Sequence, residues 1–155
     1  MKLVAATNDH IQSICTLVKS QEELFLISPS SSYPWCHQQL ANIFELRHNP
    51  TVGIIDETVV AFSNLYDVEQ NQSAFIGNIV VDQSMRNRGL GKSLTLYMMD
   101  ICAQEHNAKP HLSVFSYNTK ALLLYHHLGF VPYEIEPRKN YENDTVALIH
   151  MRHGG

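Results

Sequence analysis

The chain has 155 residues, 45% of them apolar and 17% charged, with a formal net charge of −4. That describes one domain over residues 1–155, large enough to bury its own core, and its slight acidity argues against non-specific nucleic-acid binding while mildly favouring a cationic partner such as an amine. Cys15, Cys36 and Cys102, widely spaced and without a Cys-x-x-Cys, suggest neither a disulfide framework nor a metal site. No leader-like N-terminus is evident and no apolar run nears the roughly 18 residues of a membrane span, so a cytoplasmic protein with no membrane partner is expected.

Lys2 to Ala6 reads as a short strand, and Thr7-Asn8-Asp9 offers capping oxygens to a helix with Ile11, Ile14, Cys15 and Val18 on one face, ending near Ser20. Residues 27 to 34 form a Ser/Pro loop. Pro34 then suits the first turn of a second helix running through Leu40, Ile43, Phe44 and Leu46 to about His48. Thr51–Ile55 and Thr58–Tyr66 are strands joined at Asp56-Glu57, and Ser73–Val81 is a fourth strand after the Asn71-Gln72 turn. Leu90, Leu94, Tyr97, Met98, Ile101 and Cys102 share one face of a long helix. His111–Phe115 is strand five, Asn118–His127 a further helix, and Phe130–Ile135 and Thr145–Met151 are closing antiparallel strands. That order indicates an α/β mixed sheet.

The segment from Ile76 to Ser93 is the most informative. A strand enters Arg86-Asn87-Arg88-Gly89-Leu90-Gly91-Lys92-Ser93, and a helix leaves it, which is the layout of an anion-binding loop. Gly91-Lys92-Ser93 is not a Walker A end, because Arg86 stands where the first glycine would be. Leu94 likewise breaks the dinucleotide fingerprint Gly-x-Gly-x-x-Gly. Arg86, Arg88 and Lys92 beside a helix N-terminus still call for an anion.

This loop resembles the Arg-x-x-Gly-x-Gly signature of the GNAT superfamily of N-acetyltransferases. Asn118 to Phe130 is similar to that family's Asn-x-x-Ala-x-x-Leu-Tyr-x-x-x-Gly-Phe segment, with Asn118 read as helix cap, Gly129 as helix stop and Phe130 as a core residue. The resemblance implies a GNAT fold: an α/β, mostly antiparallel mixed sheet of six to seven strands, splayed between strands four and five and flanked by about four helices. It implies acetyl-CoA as co-substrate and no metal. Arg86, Asn87, Arg88, Gly89, Leu90, Gly91, Lys92 and Ser93 would hold the pyrophosphate, Ile79, Val80 and Val81 the pantetheine, and Asn118 would also touch the cofactor. The implied reaction is direct attack of an amine on the thioester in a ternary complex. Backbone N–H groups near Asn78 would polarise the carbonyl, and Tyr125, a phenol among leucines, would return a proton to the leaving thiolate.

Within the superfamily, Tyr33-Pro34-Trp35 and Arg138-Lys139-Asn140-Tyr141 resemble motifs of the bacterial ribosomal-protein N-terminal alanine acetyltransferase group. The resemblance makes Tyr33, Trp35, Asn78 and Tyr141 acceptor-binding residues, Trp35 having a core-anchor reading as its alternative. Ser113 stands where that group has its catalytic glutamate, and Glu142 where it has a second tyrosine. His111, two residues from Ser113 on the same strand face, is a candidate base, and Glu69 or Glu142 acting through water are others. The expected function is acetyl transfer to a protein or peptide α-amino group or to a small-molecule amine, by a monomer or homodimer. A catalytically idle acyl-CoA-binding module is the alternative; Tyr125 favours the enzyme and Ser113 the module.

Overall fold

Residues 1–154 are described by a computed structural model, and all their strands join one mixed sheet ordered β1-β2-β3-β4-β5-β7-β6. In chain order the elements are β1 (Lys2–Ala5), α1 (Ile11–Cys15), α2 (Gln21–Ile27), α3 (His37–Leu46), β2 (His48–Ile55), β3 (Thr58–Glu69), β4 (Ser73–Val81), α4 (Leu90–His106), β5 (Lys109–Phe115), α5 (Thr119–His127), β6 (Phe130–Lys139) and β7 (Thr145–His153). Every neighbouring pair is antiparallel except β4 and β5. The α/β class and the splayed mixed sheet expected of a GNAT fold hold, with seven strands and five helices among the described residues.

Local chemistry sets most boundaries. Asp56 and Glu57 both take positive φ, 48° and 64°, matching a two-residue hairpin turn between β2 and β3. Gly129 at φ 96° ends α5 as a left-handed C-terminal residue. The first helix stops at Cys15 rather than near Ser20, and a separate helix follows over Gln21–Ile27, where only chain leading into a loop was expected. Its signal is Ser20-Gln21-Glu22-Glu23: Ser20 Oγ accepts from the Glu23 backbone N–H at 3.1 Å, and both glutamates lie in the first turn. The next helix begins at His37 rather than Pro34. Gln39 holds the preceding loop open instead, accepting from Ser32 N–H and donating to the Ser32 carbonyl at 2.8 and 3.0 Å.

Adjacent rungs of the β3–β4 ladder serve opposite cores, as strand alternation requires. Ala61 pairs with Val81 and belongs to the core beneath α4 and α5, around Leu94, Met98, Cys102 and Phe130. Phe62 pairs with Val80 and belongs to the other core, with α1, α3 and Trp35. The predicted face of α4, Leu90 to Cys102, packs into the first core as a single stripe.

The splay follows from a bulge. Phe62 pairs with Val80 but Asn64 pairs with Gly77, so Asn78 and Ile79 together oppose Ser63. Asn78 takes φ 49°, a left-handed conformation that asparagine tolerates better than most residues. Its buried side chain makes three hydrogen bonds: Oδ1 accepts from Arg47 Nη1 at 3.0 Å and Asn64 Nδ2 at 2.7 Å, while Nδ2 donates to the Ile27 carbonyl at 2.8 Å. This network ties the β4 bulge to the start of β2, the middle of β3 and the end of α2. Gly77 leaves room for it, since a Cβ there would lie 2.5 Å from Arg47 Nη1 and 2.7 Å from the Tyr66 ring. Beyond the bulge β4 diverges, and its parallel pairing with β5 covers only Ser73↔Lys109, Ala74↔Pro110 and Phe75↔His111.

Two stability outcomes are expected in urea unfolding. Phe62→Ala removes a fully buried ring that packs on Trp35 and Phe44, and is expected to cost about 3–5 kcal/mol. Asn78→Ala removes the partner of Asn64 Nδ2 and of the Ile27 carbonyl, while Arg47 Nη1 keeps Asn64 Oδ1, and is expected to cost about 1–3 kcal/mol for each group left unpaired.

Candidate active site

Where β4 and β5 part, a cleft of about 420 Å³ opens between Ile76–Ile79 on one side and Ser113–Phe115 on the other. Strand β4 there has lost its neighbour, so its backbone edge faces the cleft with hydrogen-bonding groups for an extended ligand. The end of α2 and Pro29 close one wall, and Asn118, Ala121 and Tyr125 of the α5 region close another.

Tyr125 is 94% buried by area, packs edge-on to Phe130 and lines this cleft. Its hydroxyl hydrogen-bonds no other group among the described residues. Burial pushes the phenol well above its ordinary value, so it stays protonated and has a proton to donate. On the floor, Arg47 lies 4.4 Å over the Tyr66 ring, and burial pushes the Tyr66 phenol up while it lowers the Arg47 guanidinium. The opposite wall carries Ser113, His150, Glu136 and Arg138 from β5, β7 and β6.

Ala121 lines this cleft and also a second cavity of about 440 Å³ formed by Val81, the loop 86–92, Lys120 and Leu124, so the two adjoin. Asn87 and Gly89 in the loop take φ 64° and 78°, and Gly89 is the N-cap of the 17-residue helix α4. The first intrahelical bond comes from Ser93 N–H to the Gly89 carbonyl at 3.1 Å, which leaves the Leu90, Gly91 and Lys92 amides free. A Cβ at Gly91 would meet only Leu124 and Val81, at 3.8 and 4.0 Å, so an open approach to the amides is preserved. Free amides at a long helix N-terminus, with Lys92 and Lys120 beside them, fit a pyrophosphate.

Several expected site residues sit elsewhere. Arg86 is engaged by Glu23 of α2 at 2.7 Å and by the Val81 carbonyl, so it braces the loop against α2. Val80 points into the core around Phe62, leaving its backbone as the part available to a ligand. Asn118 makes no side-chain cap, and the amide lines the cleft instead. Asn78 presents backbone only, its side chain being held by the bulge network. Trp35 is 4% exposed and packs on Phe62 in the core, so it is the anchor and no wall of the cleft. Tyr33 and Tyr141 do meet, across a smaller hollow of about 170 Å³ that shares Pro29 with the cleft. His111 does not line the cleft: it is the last rung still paired with β4, stacked near Phe75, with Nδ1 3.0 Å from the Tyr133 hydroxyl. Burial, with Arg152 and Lys109 nearby, lowers its imidazole from the usual value. Strand parity put it on the same face as Ser113, but the cleft opens only beyond its rung.

Arg47, Tyr66, Glu136 and His150 are the site residues that local motifs do not reveal. They lie on four different elements or connections, and only the sheet brings them together.

Comparison with known proteins places this architecture. Residues 14–130 match the acetyltransferase (GNAT) family. Among solved structures, the ribosomal-protein-S18-alanine N-acetyltransferase of Escherichia coli is similar with a TM-score of 0.76 at 20% identity, over 99% of this chain and 94% of that one. A Salmonella typhimurium protein solved with its cofactor acetyl-CoA gives 0.78 at 15% identity, over 98% and 92%. A spermidine N-acetyltransferase chimera from Vibrio cholerae gives 0.77 at 18%, over 98% and 94%. At such identities the likeness is one of fold, while the match of residues 14–130 carries the assignment: the chain belongs to the acetyltransferase (GNAT) family.

Proposed function

We propose that the protein transfers the acetyl group of acetyl-CoA to a primary amine, with a peptide α-amino group as the favoured acceptor. The observation that carries this reading is the Tyr125 phenol, kept protonated by the burial of its side chain and without a hydrogen-bond partner among the described residues, on a wall of the β4–β5 cleft where Ala121 of the same helix also lines the cavity at the α4 N-terminus. Acetyl-CoA, when bound, supplies a thioester carbonyl open to attack by nitrogen and a thiolate leaving group.

The chain's own residues then divide the work. The amides of Leu90, Gly91 and Lys92 bind the pyrophosphate, with Arg88, Lys92 and Lys120 neutralising it. The free edge of β4 at Ile79, Val80 and Val81 orients the pantetheine arm, and the Asn118 amide adds a further hydrogen bond. Backbone N–H groups at the bulge, Asn78 to Val80, stabilise charge developing on the carbonyl oxygen. Tyr125 donates its phenolic proton to the departing sulfur.

On the acceptor side, Arg47 and Arg138 balance Asp67 and Glu136 around the cleft. That balance gives a polycation no acidic wall to bind, whereas a single α-amino group with a chain behind it can extend into the hollow between Tyr33 and Tyr141. An α-amino group, with a pKa near 8, also loses its proton more readily than a lysine side chain near 10.4.

The test is thiol release from acetyl-CoA over a panel of N-terminal peptides, amino acids and polyamines. Turnover fastest with peptides is the expected result; acetyl-CoA binding without transfer to any amine would instead identify an idle binding module. Tyr125→Phe is expected to lower kcat about 100-fold or more while leaving the calorimetric Kd for acetyl-CoA within a few-fold. Lys92→Ala is expected to raise that Kd about tenfold and flatten its salt dependence.

A further inference from the structure

A serine hydroxyl is too weak a base to take a proton from an amine by itself, but Ser113 is not by itself. Its Oγ lies 2.6 Å from His150 Nδ1, and His150 Nε2 lies 2.7 Å from Glu136 Oε1. Arg138 Nη2 donates to the same carboxylate oxygen at 3.1 Å. Antiparallel pairing imposes the order: Ser113 stands opposite His150 in the β5–β7 ladder, and Glu136 reaches the imidazole from β6 on the far side of β7. All four side chains line the cleft that also holds Tyr125.

The chemistry of each atom follows. Hydrogen bonds from Arg138 and His150 hold the Glu136 carboxyl below its ordinary value, so Glu136 is a carboxylate. A carboxylate at Nε2 places the ring proton on Nε2, which makes Nδ1 an acceptor for the Ser113 hydroxyl. The Tyr66 hydroxyl hydrogen-bonds the Ser113 side chain, which leaves Ser113 Oγ one lone pair for a donor in the cleft. The other titratable groups around the imidazole are Tyr133 of β6, with its ring 6.3 Å away, and Tyr66 of β3, whose phenol lies near Ser113.

We propose that Ser113, His150 and Glu136 form the proton relay that deprotonates the acceptor amine, a role that rests on the acetyl-transfer reading above. As the amine nitrogen bonds to the acetyl carbon, Ser113 Oγ takes one amine proton and passes its own to His150 Nδ1. The carbon–sulfur bond breaks, and Tyr125 gives its proton to the sulfur. Glu136 stabilises the imidazolium through Nε2–H. His150 afterwards releases its extra proton to solvent and Tyr125 recovers one, so the net change is one amide formed and one thiol released. Ser113 touches the amine and is the catalytic residue of the three; His150 and Glu136 act through it and are positioning residues.

The experiment compares wild type with Ser113→Ala, His150→Gln and the double variant. It uses acetyl-CoA with an alanine-initiated peptide, or with the fastest amine of the panel if that peptide is inert. Melting temperature and the Kd for acetyl-CoA are measured alongside. Each single variant is expected to lose about 100-fold or more in kcat with that Kd held within twofold, and the double variant is expected to be no slower than the slower single. Added imidazole is expected to restore part of the rate to a further variant, His150→Ala, and none to Ser113→Ala. Near wild-type kcat in folded single variants, or losses that multiply in the double, would overturn the relay while leaving acetyl transfer intact. An acetyl adduct on Ser113 after incubation without any amine would also overturn it, because the serine would then be the nucleophile. A wild type that binds acetyl-CoA and acetylates no amine would overturn both readings.

Discussion

The site depends on the way Asn78 is held. A bulged asparagine in the middle of β4, in a left-handed conformation, is kept there by two donors and one acceptor from three other parts of the chain. Without that network the extra residue in β4 would have no buried partners, and an unbulged β4 has no local reason to part from β5. With it, pairing stops after three rungs and the sheet carries an internal edge. An internal edge that lines a cleft is a place where a ligand can complete the hydrogen bonding that a strand would otherwise supply. The same network anchors the carbonyl end of α2, so the wall of the cleft and its opening are set by one cluster.

Around this opening the two halves of the site are built from different materials. The proposed donor side is largely backbone: free amides at the start of α4, the edge of β4, and glycines that keep side chains out of the way. Such a surface suits a ligand whose recognised parts, a pyrophosphate and an amide-bearing arm, do not vary. The proposed acceptor side is side chains, from Ser113 across His150 and Glu136 to Arg138, with Tyr33 and Tyr141 beyond Pro29. Side chains on neighbouring antiparallel strands can be exchanged without disturbing the ladder that presents them. That division allows one fold to keep its donor and change its acceptor.

The glycine loop and the start of α5 were legible in the sequence because their determinants are local. Gly89 and Gly91 lie within the loop they shape, and Asn118, Ala121 and Tyr125 lie within one helix and its start, so a short motif contains the whole arrangement. The apolar stripe of α4 was legible for the same reason, the helical period being a property of neighbours. Helix α2 was also written locally, in Ser20 to Glu23, but it is only seven residues long and its short apolar run has little periodicity to read. Trp35 and His111 were decided by tertiary structure. Motif position offered Trp35 either as an acceptor-pocket wall or as a core anchor, and its packing on Phe62 makes it the anchor; parity placed His111 on the right face, whereas the splay begins one rung too late to expose it.

The amino-acid sequence by itself determined most of the alternation of strands and helices and the glycine turn that starts α4, since each rests on contacts within a few residues. Only the tertiary structure decided what stands beside Ser113. His150 is 37 residues away in the chain and Glu136 another 14 from His150, and nothing in their spacing joins them. Register between β5, β7 and β6 does, because ladder hydrogen bonds align residues across strands irrespective of the length of chain between them.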